Sequence, residues 1–189
     1  MSLSLDGFVA DADGGKDWLF KTGDEESLAW SVERIREAGL IIMGRKSFEM
    51  MSPYWPTATG PFAAPMNEIP KAVFTRSGFV VKQPRKKATG ERAAAKASWT
   101  GARVFNINLA EAIKTLKTEA GNPIVAIGGA EFAQSLIATG LVDEYNLGIH
   151  PVVLGSGLQI FSQLKKPIYM KLRDIKAFPK GAVAHTYAV

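Results

Sequence analysis

Leu40-Ile41-Ile42-Met43-Gly44-Arg45-Lys46-Ser47 is the stretch on which the reading of this sequence turns. Four consecutive apolar residues predict a strand covered on both faces, as strands of parallel sheets are, and the glycine ends it. A helical stretch with Phe48 and Met51 follows, so the segment reads as strand, turn and helix start. The same pattern returns at Ile124-Val125-Ala126-Ile127-Gly128-Gly129-Ala130-Glu131, where the predicted helix runs to about Thr139 and Gly140 supplies its C-terminal cap. The first backbone N–H groups of a helix lack intrahelical acceptors, and the positive end of its dipole favours an anion. Glycine lets a phosphate approach such a turn, and Arg45 and Lys46 add formal charge. One turn of this kind alone reads first as close packing of helix on sheet. Two on one chain suit a ligand with separated phosphate groups.

Working outward, Leu3-Ser4-Leu5 reads as a strand that turns at Asp6-Gly7 into Phe8-Val9-Ala10, before a polar loop through Asp17. Leu28, Val32 and Ile35 then mark the first long helix, with Asp24, Glu25 and Glu26 in its first turn and Gly39 as its stop. After a Pro-rich connection from Pro53 to Pro70, Ala72-Val73-Phe74 gives a strand ending at Thr75-Arg76. Arg76 is read either as a partner for a 2'-phosphate or as a surface arginine closing a strand. Arg103–Phe105 is a further strand, and Leu109, Ile113 and Leu116 form the stripe of a second long helix. Tyr145, Leu147 and Ile149 alternate, and two last strands, about Ile168–Phe178 and Val183–Val189, meet at Pro179-Lys180-Gly181 as a hairpin. Strands and helices alternate first and strands then follow one another, which predicts an α/β fold with a mixed sheet.

A chain of 189 residues with 47 % hydrophobic content suits a single domain over residues 1–189. No apolar run reaches the roughly 18 residues that cross a bilayer and no leader pattern opens the chain, so a soluble cytoplasmic protein without membrane partners is expected. The absence of cysteine removes thiolate chemistry and Cys-based zinc sites. His150 and His185, on alternating strands, read as structural, and no metal is expected. The net charge of +5 is local, because Lys82–Lys96 holds six basic residues and one acid, leaving 17 of each sign elsewhere. This region reads as a basic, flexible insertion at about 77–100. Without aromatics interleaved for base stacking, it does not predict a nucleic-acid partner.

Three of these stretches resemble one family. Ser4-Leu5-Asp6-Gly7-Phe8-Val9-Ala10 is similar to the first-strand motif of dihydrofolate-reductase-like proteins, Ile42-Met43-Gly44-Arg45-Lys46-Ser47 to their first phosphate turn, and Ile127-Gly128-Gly129-Ala130 to their second. The run through Gly140-Leu141-Val142-Asp143-Glu144 to His150-Pro151-Val152-Val153-Leu154-Gly155-Ser156-Gly157 resembles the riboflavin-biosynthesis reductase branch, the C-terminal reductase domain of the bifunctional deaminase-reductase. The resemblance implies a three-layer α/β fold, with a mixed central sheet of about eight strands, helices on both faces and an antiparallel C-terminal hairpin.

It also implies NADPH, with Gly44, Arg45, Lys46 and Ser47, and Ile127, Gly128, Gly129, Ala130 and Glu131, around its phosphates. Thr75 and Arg76 would lie near the adenosine ribose, and Val9 and Ala10 against the nicotinamide ring. Trp18 would stand at the mouth of the substrate pocket, with Leu28 in it; the local alternatives are core packing for Val9 and a capped loop for Trp18. Homodimerisation is a further implication. The activity implied is hydride transfer to a small heterocycle, most like 5-amino-6-(5-phosphoribosylamino)uracil, with a dihydrofolate or pterin reductase or a non-catalytic NADP-binding module as alternatives. The position where dihydrofolate reductases carry a carboxylate falls on Leu28 or Ser27. Glu26 beside it is the one weak catalytic candidate, and Glu25 and Glu26 also read as dipole partners.

Overall fold

The computed structural model describes residues 1–81 and 91–189, the side chains of 91–94 excepted. Two compact units emerge, Met1–Trp30 with Ala133–Val189, and Ser31–Phe132. The chain opens with strands β1 (Ser2–Ser4) and β2 (Phe8–Ala10), then helices α1 (Trp18–Thr22) and α2 (Glu25–Arg36). Next come β3 (Leu40–Gly44), α3 (Arg45–Tyr54), α4 (Ala63–Glu68), β4 (Lys71–Phe74) and α5 (Glu91–Thr100). β5 (Arg103–Phe105), α6 (Leu109–Thr118), β6 (Ile124–Ala126) and α7 (Ala130–Ala138) precede the last strands, β7 (Glu144–His150), β8 (Leu158–Gln159), β9 (Lys171–Ala177) and β10 (Val183–Ala188).

In the Ser31–Phe132 unit the strands form a parallel sheet in the order β5-β4-β3-β6. β3 has β4 on one side and β6 on the other, so the direction in which the sheet grows reverses at β3. In open α/β sheets such a reversal leaves a crevice beyond the carboxyl ends of the two diverging strands. Ile41, Ile42, Met43, Ala72 and Val73 are all buried, odd and even positions alike, as the continuous apolar runs require.

The expectation of a flexible insertion at 77–100 is corrected over its second half. Glu91–Thr100 is helix α5, and Trp99 is 2 % exposed in the core with Met43, Phe48, Met66 and Val73. Residues 82–90 lie outside the described residues. Lys71, 1 % exposed, joins α5 to the end of α4: its Nζ donates to Ile69 O and, at 2.9 Å, to Ser98 Oγ, and lies 4.7 Å from the centroid of the Trp99 ring. Ser98 Oγ donates to Asn67 O at 2.5 Å, and Trp99 Nε1 to Asn67 Oδ1 at 3.0 Å. A cation suits these C-terminal carbonyls, yet burial brings the Lys71 amine down to about 7.

In the other unit the sheet order is β1-β7-β10-β9, with β1 parallel to β7 and the rest antiparallel. β9 and β10 form the expected hairpin, closed by Gly181 N donating to Phe178 O at 2.9 Å. The remaining ladder pairs β2 with β8. The described strands thus number ten in three hydrogen-bonded sets rather than about eight in one. The difference includes β8, whose two residues are a strand only because β2 pairs with them. α1 and α4 also fall where the sequence reads as loop.

Candidate functional site

The register of β3 with β6 aligns the two glycine turns. Leu40, Ile41 and Ile42 face Ile124, Val125 and Ala126, and Ile127 N donates to Ile42 O at 3.0 Å. Both chains therefore leave the sheet at the same end, one into α3 through Gly44 and the other into α7 through Gly128-Gly129. Gly129 N donates to Ser47 Oγ at 2.9 Å, and Ser47 is 7 % exposed. Gly128 has φ +133°, and a Cβ there would stand 2.7 Å from Ser47 Oγ, so only glycine lets the turns meet.

Gly44 is the N-cap of α3 in extended conformation and offers no side chain to cap the first donors of this helix. Arg45 is half-buried beside the turn. Lys46, 80 % exposed, pairs with Glu131 in the first turn of α7 at 3.2 Å. β4 brings Phe74 opposite Gly44, which places Thr75 and Arg76 at the same sheet end. Thr75 N donates to Phe105 O at 3.1 Å and Thr75 Oγ1 to Ser77 O at 2.6 Å, while Arg76 is exposed. Ile127 and Ala130, both half-buried, complete the bend. A helix start capped by glycine, further glycines and nearby cations at a topological switch point are the features that could hold an anion, and the phosphates of a dinucleotide fit this residue set.

The other named residues lie in the unit of Met1–Trp30 and Ala133–Val189. Val9 and Ala10 are buried in β2, at 5 % and 1 % exposure. Asp6 holds the start of this strand: its carboxylate accepts from Ser4 Oγ at 2.6 Å, Gly155 N at 2.7 Å and Leu154 N at 3.1 Å, and these donors, Ser4 foremost, keep it below the usual carboxylate range. The sequence places Asp6 in the turn before β2 and within the first-strand motif, but gives its side chain no role.

Trp18 opens α1 and is buried edge-on to His150, with ring centroids 5.4 Å apart. Thr22 Oγ1 donates to Trp18 O at 2.7 Å, and with its single proton so used it accepts from His150 Nδ1 at 2.9 Å. Burial, followed by the positive amino terminus, lowers the His150 imidazole pKa against the opposing influence of Asp24. Leu28 and Glu26 are both exposed on α2, Glu26 in the first turn, where an acid complements the helix dipole. Asp24, grouped with these acids in the sequence reading, instead accepts from Ser27 N at 2.8 Å and Lys180 N at 2.9 Å. No helix among the described residues is long and apolar enough to cross a membrane.

Known proteins resemble this chain in sequence and in fold. The Bacillus subtilis protein YyaP is 29 % identical over 187 residues, covering 99 % of this chain and 91 % of YyaP. A provisionally named riboflavin biosynthesis protein of Shewanella sp. PV-4 superposes with a TM-score of 0.74 at 20 % identity, covering 100 % of this chain and 95 % of that one. The Thermotoga maritima diaminohydroxyphosphoribosylaminopyrimidine deaminase/5-amino-6-(5-phosphoribosylamino)uracil reductase gives 0.60 at 15 % identity, over 99 % of this chain and 54 % of that one. The fold is thus the mixed α/β, dihydrofolate-reductase-like fold of these structural neighbours. RibD C-terminal domains match residues 1–184, and the chain belongs to that family.

Proposed function

We propose that this protein is an NADPH-dependent reductase acting on a small heterocyclic substrate, most like 5-amino-6-(5-phosphoribosylamino)uracil. The observation that supports it most is the hydrogen bond from Gly129 N to Ser47 Oγ, which ties two glycine-bearing helix starts together at the ends of neighbouring parallel strands. In this reading Arg45, Lys46, Ser47 and the Gly128–Glu131 turn hold the phosphates, and Thr75 and Arg76 take the adenosine ribose and its 2'-phosphate. Val9 and Ala10 lie against the nicotinamide, while Trp18 and Leu28 belong to the substrate end. NADPH supplies the hydride; the side chains bind, orient and exclude water. Glu26 has no assigned part in proton transfer, since its exposed position already serves the dipole of α2.

A cytoplasmic homodimer belongs to the same reading. β9 is the edge of its sheet and all seven of its residues are exposed. Leu172 and Ile175 stand opposite Tyr187 and His185, two positions apart on β10, so the register shift turns both toward one face. An exposed apolar edge of this kind suits pairing with a second copy.

Thermal-shift titration tests the cofactor assignment, and NADPH should raise the melting temperature well above the effect of NADH at equal concentration. Equal shifts, or none, would remove the phosphate-reading role from Arg76 and its neighbours. Turnover with pyrimidine but not pterin substrates then selects the substrate class, and binding without turnover of either selects the non-catalytic module.

A further inference from the structure

Away from the two glycine turns, a dense set of polar contacts gathers at the half-buried carboxylate of Asp6. Its oxygens accept three donors from two separate parts of the chain: Ser4 Oγ at the end of β1, and the backbone N–H groups of Leu154 and Gly155. Ser4, fully buried, passes the restraint on, because its Oγ also accepts from Phe8 N, the first residue of β2, at 2.9 Å. On the far side, Gly155 leads through Ser156 to Gly157, whose φ is +151°. A Cβ on Gly157 would run into Ala10 O and lie 3.1 Å from Ala10 C, so the backbone of Gly157 rests directly on Ala10. β8 then pairs with β2, Leu158 opposite Ala10 and Gln159 opposite Phe8. β2 has only three residues and one partner strand, too little to fix its own position by ladder bonds.

We propose that Asp6 is a positioning residue: by clamping the Leu154–Gly155 backbone to the Ser4–Phe8 turn, it sets where Val9 and Ala10 stand and so aligns the nicotinamide ring of the bound cofactor. This rests on the assignment of Val9 and Ala10 to the nicotinamide. The carboxylate is needed because both oxygens face N–H or O–H donors; in Asp6→Asn the amide NH2 would be directed at one of them.

The test compares two ligands on the full-length protein: NADPH, and 2'-phospho-ADP-ribose, which keeps the phosphates and lacks the nicotinamide. Asp6→Asn should weaken NADPH about tenfold, the loss expected of a charge-assisted hydrogen bond, and leave 2'-phospho-ADP-ribose within about twofold. Ser4→Ala, which removes one donor to Asp6 and the acceptor of Phe8 N, should shift the same selectivity in the same direction by about threefold and serves if Asp6→Asn does not fold. Unchanged NADPH affinity in folded variants, or equal loss for both ligands, overturns the proposal. If the unaltered protein binds neither ligand, the cofactor reading itself fails, which is a different result.

Discussion

The hydroxyl of Ser47 accepts the backbone N–H of Gly129 across 82 residues of sequence, at 2.9 Å. This bond makes the first turn of α3 and the approach to α7 a single structure, and the glycine beside it sets the closeness. Gly128→Ala adds a Cβ at 2.7 Å from Ser47 Oγ and at a φ that L residues rarely adopt. It should cost about 1–3 kcal/mol of stability, read from urea unfolding, and weaken NADPH binding as the turns separate. Gly140→Ala is the control: Gly140 also has positive φ but meets nothing within 4 Å, so it should lose stability alone.

Glu131 places a carboxylate where the proposed ligand carries negative charge. Its pair with Lys46 joins side chains that are 71 % and 80 % exposed, and such pairs contribute little to folding. Glu131→Gln should tighten NADPH binding, more at low than at high ionic strength. Calorimetric titration at two salt concentrations checks this; weaker binding in the variant would mean that Glu131 serves the ligand directly.

Lys71 predicts a pH signature for the unit that holds the two glycine turns. Its amine is near 7 when folded against an ordinary 10.5, so between these values the unfolded chain binds more protons than the folded one. Stability supported by this group consequently rises as pH increases from 7 toward 10.5, with the full penalty of burying the cation felt below 7. Urea midpoints for the unaltered protein should climb between about pH 7 and about pH 9.5, and Lys71→Met should flatten that climb. Parallel curves for the two proteins would show that Lys71 is not the group responsible.

Much of the site was legible in the sequence because its signals are local. An apolar run followed by glycine and a helix start marks each glycine turn, and β3 and β6 appeared where their apolar runs predicted. What local pattern cannot carry is pairing. β8 exists through β2, and the three-way grip of Asp6 joins residues 148 and 149 positions apart. Likewise α5 looked like part of a charged loop, since alanines give it weak periodicity and its one large apolar side chain, Trp99, finds its place only against Phe48 and Lys71. α1 is five residues long, too short to announce itself, and holds together through Trp18 and Thr22 meeting His150.

The claim that the two turns hold one phosphorylated dinucleotide is tested most directly by calorimetric titration of NADPH into the unaltered protein and into Arg45→Ala. The account predicts saturable binding at one site per chain, weakened by about 1.5–3 kcal/mol when the arginine is removed. Equal affinity in the two proteins, or no saturable binding in either, would contradict it.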